Sequence, residues 1–124
     1  EKVTEVVDQA KQKAIAEATA RKEKLVAAAK ASKEKMVSTA KTSADKVIAE
    51  AEAQAAALQA KATNPIAKAA AKKSGDALIS KARTQANKII ADAEANGNKM
   101  ITDAETKGDA MIKKASETKP GENK

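Results

Sequence analysis

The sequence contains no cysteine, histidine, phenylalanine, tyrosine or tryptophan, and only two prolines and four glycines. Without cysteine no disulfide can form, and without histidine or cysteine the commonest catalytic bases, nucleophiles and metal ligands are missing. Without aromatic residues, few side chains are bulky enough to fill a globular core at crystal-like density. These absences argue against an enzyme, against a metal or cofactor site and against a compact globule.

The chain is rich instead in alanine and in charge of both signs. Its 124 residues include 32 alanines, 24 lysines or arginines and 17 acidic residues, for a formal net charge of +7. Ala, Lys, Glu and Gln are strong helix formers, and mixed charges are typical of a solvated helical surface. No apolar run approaches the ~20 residues that cross a bilayer. Because the first residue is Glu rather than Met, an exported or lipid-anchored location is one expectation.

A repeat of eleven residues runs through the chain. Repeats begin at residues 3, 14, 25, 36, 47, 67, 78, 89, 100 and 111, with one nine-residue unit at 58. The first position is always apolar, the second is mostly Ile or Val, and the fifth is Ala everywhere except at Val7. The ninth is Ala or Gly at residues 44, 55, 75, 86, 97 and 108, but Lys at residues 11, 22 and 33.

Eleven residues make three helical turns at about 3.67 residues per turn, as in a straight or slightly right-handed coiled coil. Positions one, five, nine and two then follow one another across a stripe roughly 100° wide. The stripe therefore has a centre of small residues and flanks of large ones, which predicts close helix packing. The predicted seam residues are Ala18, Ala29, Ala40, Ala51, Gly75, Ala82, Ala86, Ala93, Gly97, Ala104 and Gly108.

In composition and period the chain resembles late embryogenesis abundant proteins, which share its Ala/Lys/Glu elevens. The segment ADKVIAEAEAQAAALQAKA, residues 44–62, also looks like the b-type peripheral stalk of rotary ATP synthases. Both resemblances extend over most of the chain, and both imply long alanine-rich coiled-coil helices.

The nine-residue unit marks a turn, because dropping two residues would rotate the stripe by about 200° in a continuous helix. Asn64 is a good N-cap and Pro65 a good first helical residue. We therefore predict one all-α elongated domain with helix 1 over about 3–62, a turn at about 63–64, helix 2 over about 65–116 and a disordered tail at 117–124. Gly75 is predicted inside helix 2 rather than in a second turn at 74–76.

The two stripes also predict a register for this antiparallel hairpin, in which residue i faces about 126 − i. This register pairs small residues as Ala18 with Gly108, Ala29 with Gly97, Ala40 with Ala86 and Ala51 with Gly75. It also predicts that Lys22 reaches Glu105 and that Lys33 reaches Glu94. A second line of small residues runs along the back of each helix. It is either an exposed face of good helix formers or a second packing surface, and the second interpretation predicts a homodimeric four-helix bundle.

The pattern thus favours a non-catalytic structural or protein-interaction rod, a coiled-coil spacer or scaffold. One alternative is an anionic membrane surface, because EKLVAAAKASKEKMVSTAKTSADKV, residues 23–47, looks like the repeats of synucleins and apolipoproteins. A more remote alternative is ice binding through the Ala/Thr back, as in type I antifreeze proteins. Nucleic-acid binding is disfavoured because no aromatic side chain can stack on bases.

Overall fold

Two long α-helices make up the described part of the chain. The computed structural model describes the backbone of residues 2–117 and the side chains of residues 6–117. Helix α1 runs over Lys2–Lys61 and helix α2 over Pro65–Glu117, and the two pack as an antiparallel hairpin. The predicted all-helical hairpin is confirmed, and the helix ends lie within one residue of the predicted ones. Residues 118–124 of the predicted tail lie outside the described residues, and Glu117 closes α2.

Both helices are continuous because nothing in their interiors interrupts them. Neither has a proline after its first residue, and Gly75 lies within α2, as predicted, rather than in a second turn. Thr42 and Thr84 donate their hydroxyl hydrogens to backbone carbonyls four residues earlier, at 3.2 Å, so each hydroxyl is satisfied within its own helix. Over residues 2–117, neither helix has an apolar stretch of the kind needed to cross a membrane.

The turn uses the two residues predicted for it. The Asn64 carboxamide oxygen accepts a hydrogen bond from the Ala67 backbone N–H at 2.7 Å, and its backbone carbonyl accepts one from Lys68 at 2.8 Å. This is the geometry of an N-cap. Pro65 occupies the first helical position, where the N–H that proline lacks would have no helical partner.

Contacts along the hairpin group it into two compact units, each containing a segment of both helices. One unit joins α1 up to Lys33 with α2 from Gly97 onward, and the other comprises residues 34–96 with the turn. The eleven-residue repeat predicted a single domain, whereas its helices form two compact units. Each unit contains its own part of the seam between α1 and α2.

Candidate functional site

The helices meet along a seam in which no buried side chain is larger than alanine, as judged over residues 6–117. Its buried alanines, all at fifth or ninth positions, are Ala18, Ala29, Ala40, Ala44, Ala51, Ala55, Ala82 and Ala86. Gly75, Gly97 and Gly108 are buried there too. Of the predicted seam residues, Ala93 and Ala104 are only half-buried. The predicted set did not contain Ala44 and Ala55, which are 1% and 4% exposed.

The register of the hairpin differs from the predicted one by one helical turn. A Cβ built on Gly75 would lie 2.9 Å from the Cβ of Ala55, while Gly97 and Gly108 face Lys33 and Lys22. The residue numbers of each pair sum to 130, so residue i lies opposite about 130 − i rather than 126 − i. The predicted pairs of Ala18, Ala29, Ala40 and Ala51 with Gly108, Gly97, Ala86 and Gly75 are therefore wrong. The observed offset places Ala44 opposite Ala86, each 1% exposed.

The offset arises because the two helices do not end at the same level. With residue 55 opposite residue 75, the last residue of α1, Lys61, is level with residue 69. The first turn of α2 therefore extends beyond the end of α1. Ile66, in that first turn, is accordingly 85% exposed. The predicted register assumed that the helices were symmetric about the turn.

Two lysines cross the seam above glycines, in the unit that contains residues 6–33 and 97–117. A Cβ on Gly97 would lie 2.8 Å from the Cβ of Lys33, and one on Gly108 would lie 2.6 Å from the Cβ of Lys22. Each lysine stem thus occupies the space that a side chain at the glycine would need. Such a stem covers apolar surface while its ammonium group reaches solvent. This pairing explains why lysine is tolerated at a seam position.

Each of these lysines binds the residue that follows its glycine. The Lys33 Nζ donates a hydrogen bond to the Asn98 carboxamide oxygen at 2.6 Å, and the Lys22 Nζ lies 2.5 Å from an Asp109 carboxylate oxygen. The predicted partners, Glu94 for Lys33 and Glu105 for Lys22, were wrong. Both observed partners lie four residues further along α2, as the corrected register requires.

The charge of Lys22 is favoured in the folded chain. The hydrogen bond to Asp109 raises the pKa of Lys22 above its ordinary value of 10.5; partial desolvation opposes this shift, and the negative charges of Asp109 and Glu105 add to it. A raised folded-state pKa means that the contribution to stability is present at neutral pH. It is lost as the pH rises through that pKa, above 10.5.

Lys22→Met retains most of the stem and removes the ammonium group. We expect a small decrease in melting temperature at pH 7, because the pair is partly exposed and surface ion pairs contribute little. The difference between variant and parent should vanish once the pH passes the raised pKa of Lys22. Thermal unfolding followed by circular dichroism across pH 7–12 would check this, and a difference that does not change with pH would contradict the ion pair.

The corrected register also places the fifth position of one helix opposite the second position of the other. Before the last turn of α2, alanines opposite isoleucine are buried: Ala18, Ala29, Ala40 and Ala51 are level with Ile112, Ile101, Ile90 and Ile79, and Ala82 is level with Ile48. Ala115, in that last turn, is level with Ile15 but half-buried. Ala93 and Ala104 are opposite Val37 and Val26, and both are half-buried. One missing methyl group in the facing residue explains why these two predicted seam residues are less covered.

Val37→Ile should therefore add the missing methyl group opposite Ala93 and bury that alanine more fully. We expect the free energy of unfolding to rise by up to about 0.8 kcal/mol, the value of one buried methylene. Chemical denaturation would measure the change. The matched control is Val6→Ile, because Val6 is 63% exposed and the added methyl group would stay in water. Equal effects of the two substitutions would contradict the layer.

The large residues flank the seam on two different faces. In an antiparallel pair the first positions of both helices share one side and the second positions share the other. Ala14 of α1 and Met111 of α2 accordingly line one open hollow of about 380 Å³, and Val26 and Ile112 line another of about 410 Å³. We call the side with the first positions the Leu/Met face and the side with the second positions the Ile/Val face.

Neither face carries a recognisable chemical centre in the part of the chain that the structure describes. No three acidic side chains among those residues come together as a metal site. Comparison of the chain with protein-family models, with curated proteins and with solved structures finds no match. The interpretation of function therefore depends on the geometry of the seam and of its two faces.

Proposed function

We propose that this chain is a non-catalytic structural element that binds other protein chains through the faces of its helical hairpin. The observation that carries the proposal concerns the large aliphatic side chains. Throughout residues 6–117, every Val, Leu, Ile and Met is at least partly exposed, and only Ala and Gly are buried. Each of these large side chains thus keeps part of its apolar surface in contact with water, and four of them, Val6, Leu58, Ile66 and Met100, keep more than a third.

The exposed apolar groups are ordered rather than scattered. They return at the first and second positions of most repeats, so within each unit both faces carry a row of them. Contiguous apolar surface bordered by polar groups marks sites of association in soluble proteins. The rows therefore support a role in binding other chains. Catalysis, in contrast, needs a positioned acid, base or nucleophile beside a concave pocket.

Matching between the two helices supports folding without a lipid surface. Isoleucine faces alanine and lysine faces glycine across the seam, so each helix is shaped for the other. Helices that fold only on lipid do not need such a match, because the bilayer covers their apolar stripe.

One local observation favours membrane-surface binding as a second candidate. Ile66 is 85% exposed at the overhanging start of α2, and Lys61, Lys68, Lys72 and Lys73 are exposed around it. An exposed apolar group within a basic cluster is suited to the headgroup region of an anionic membrane. The rest of the hairpin would then remain free of lipid.

Circular dichroism of the full chain, with and without vesicles of phosphatidylglycerol and phosphatidylcholine, tests the proposal. We expect high helicity in lipid-free buffer, a cooperative melt and no gain in helicity from vesicles. Low helicity that rises only with vesicles would overturn the structural role. Sedimentation with the same vesicles would test the second candidate: binding lost in Ile66→Ser, but retained in Val6→Ser, which also replaces an exposed aliphatic side chain with serine, would favour docking at the turn.

A further inference from the structure

The two faces of the unit formed by residues 34–96 differ sharply in charge. Beside the Leu/Met row lies the eighth position of each repeat, which in this unit is Ser43, Gln54, Ser74, Gln85 and Asn96. Beside the Ile/Val row lies the sixth position, which is Lys41, Glu52, Lys72, Arg83 and Glu94. All ten side chains are exposed. One face is therefore apolar and uncharged, while the other is apolar with a charged residue at every step.

We propose that a second copy of this chain docks on the Leu/Met face of residues 34–96. This inference deepens the proposed function, on which it rests, by naming the face and the partner. Placing charged groups between packed helices requires their desolvation, which is costly unless each one finds a partner. The Leu/Met face has no such cost in its middle, and it exposes Leu58 by 37%. Its chemistry is that of an interface core with a neutral polar surround.

The rim of this face is complementary to itself. The fourth positions lie at its outer edges, with Glu50 and Thr39 on α1 and Lys81 and Asp92 on α2. By the observed register Glu50 and Lys81 are level to within one residue, and so are Thr39 and Asp92. Within the described residues of one hairpin, neither Glu50 nor Lys81 forms an ion pair.

A two-fold axis parallel to the helices would exchange the two edges of the face. It would stack α1 of one copy on α2 of the other, with Glu50 facing the second copy's lysine 81 and Thr39 facing its aspartate 92. Each contact would occur twice, as an isologous interface requires. A two-fold axis across the helices at this level would instead bring Glu50 near its own counterpart and Lys81 near its own, so like charges would meet. The charges therefore select the first arrangement.

The face is also large enough for a stable dimer. Residues 34–61 extend about 40 Å at 1.5 Å per residue, and two packed helices are about 20 Å wide. Their product is about 800 Å² per copy, the usual area of a specific protein–protein interface.

Sedimentation equilibrium of the full chain with two matched double variants tests the docking face. Ser43→Glu with Ser74→Glu places one carboxylate on the Leu/Met face from each helix. The control, Ser38→Glu with Ser80→Glu, makes the same two changes on the backs of the helices. Ser38 and Ser80 are exposed there, as Ser43 and Ser74 are on the Leu/Met face. We expect the parent and the control to be dimers, and the first variant to dissociate with a dissociation constant raised at least about tenfold, because burying a carboxylate without an opposite charge is costly.

Charge reversal tests the arrangement of the two copies. Glu50→Lys should weaken the dimer, since it would face lysine 81 of the other copy, and adding Lys81→Glu should restore it. Failure of the double reversal to restore association would overturn the parallel two-fold arrangement. Equal dissociation of both serine double variants, or of neither, would overturn the choice of face.

The outcomes separate this inference from the proposed function. A chain that is fully helical in lipid-free buffer but sediments as a monomer at all concentrations overturns the second copy as partner, and leaves the structural role standing. A chain that is not helical without vesicles overturns the proposed function itself. Circular dichroism of the serine variants, measured alongside, shows whether each hairpin remains folded.

Discussion

Gly97→Leu is expected to lower the free energy of unfolding by roughly 1–3 kcal/mol, the usual cost of overpacking a close contact. The reason is the stem of Lys33. A Cβ on residue 97 would lie 2.8 Å from the Lys33 Cβ, an atom too close to its backbone to move away easily. Chemical denaturation at fixed protein concentration measures the loss. An unchanged midpoint would contradict the contact between residues 33 and 97.

The same contact predicts that the effect of Gly97→Ala on stability changes sign with the residue at position 33. Gly97→Ala should destabilise the parent chain, although alanine is favoured over glycine in a helix interior by about 0.5–1 kcal/mol. In a Lys33→Gly background that Cβ is gone, and Gly97→Ala should stabilise instead. The double variant would reproduce the alanine–glycine pair that residues 55 and 75 form naturally. Equal effects in the two backgrounds would show that the residues are not coupled.

Ala86→Leu is the second substitution with a large expected effect. Ala86 and the facing Ala44 are each 1% exposed, so this is the most tightly covered layer of the seam. We expect a loss of about 1–3 kcal/mol, because the added atoms must push the helices apart. Ala91→Leu is the control: residue 91 is exposed on the back of α2, and leucine and alanine have similar helix propensities. Thermal melts of the two variants would differ by several degrees if the seam is as close as described, and equal melts would argue against it.

The helices, the turn and the composition of the seam could be predicted from the sequence because each depends on local rules. Alanine-rich elevens specify a helix with a small-residue stripe, and Asn64 before Pro65 specifies a helix start. These features do not depend on where the second helix lies. For the same reason, the helix ends were predicted to within one residue.

The register could not be predicted in this way because it depends on the levels at which the two helices begin and end. Pairing alanines with glycines about a symmetric turn was consistent with the pattern but one helical turn in error. A better signal for the register was present at the ninth position of the repeat. Its lysines in α1, Lys22 and Lys33, have their counterparts in the glycines of α2, Gly108 and Gly97, so that each large residue has a gap to fill. Matching large with small, rather than small with small, gives the observed register.

The degree of burial of each seam alanine could not be predicted from the repeat pattern either. The fifth position is alanine in both helices, yet Ala82 is buried and Ala93 is half-buried. The difference lies in the facing helix, because Ala82 is opposite Ile48 whereas Ala93 is opposite Val37. Such differences can be assigned only after the register is known.

The pairing of lysine with glycine across the seam restricts how the length of this protein can change. Deleting eleven residues of α1 between Lys33 and the turn would bring every earlier side chain of α1 opposite the wrong partner, and the Lys33 stem would meet Ala86 rather than a gap. Removing one repeat from each helix at the same level would leave all other pairs intact. Homologous chains of this design should therefore differ in steps of twenty-two residues, each of which changes the length of the hairpin by about 16 Å.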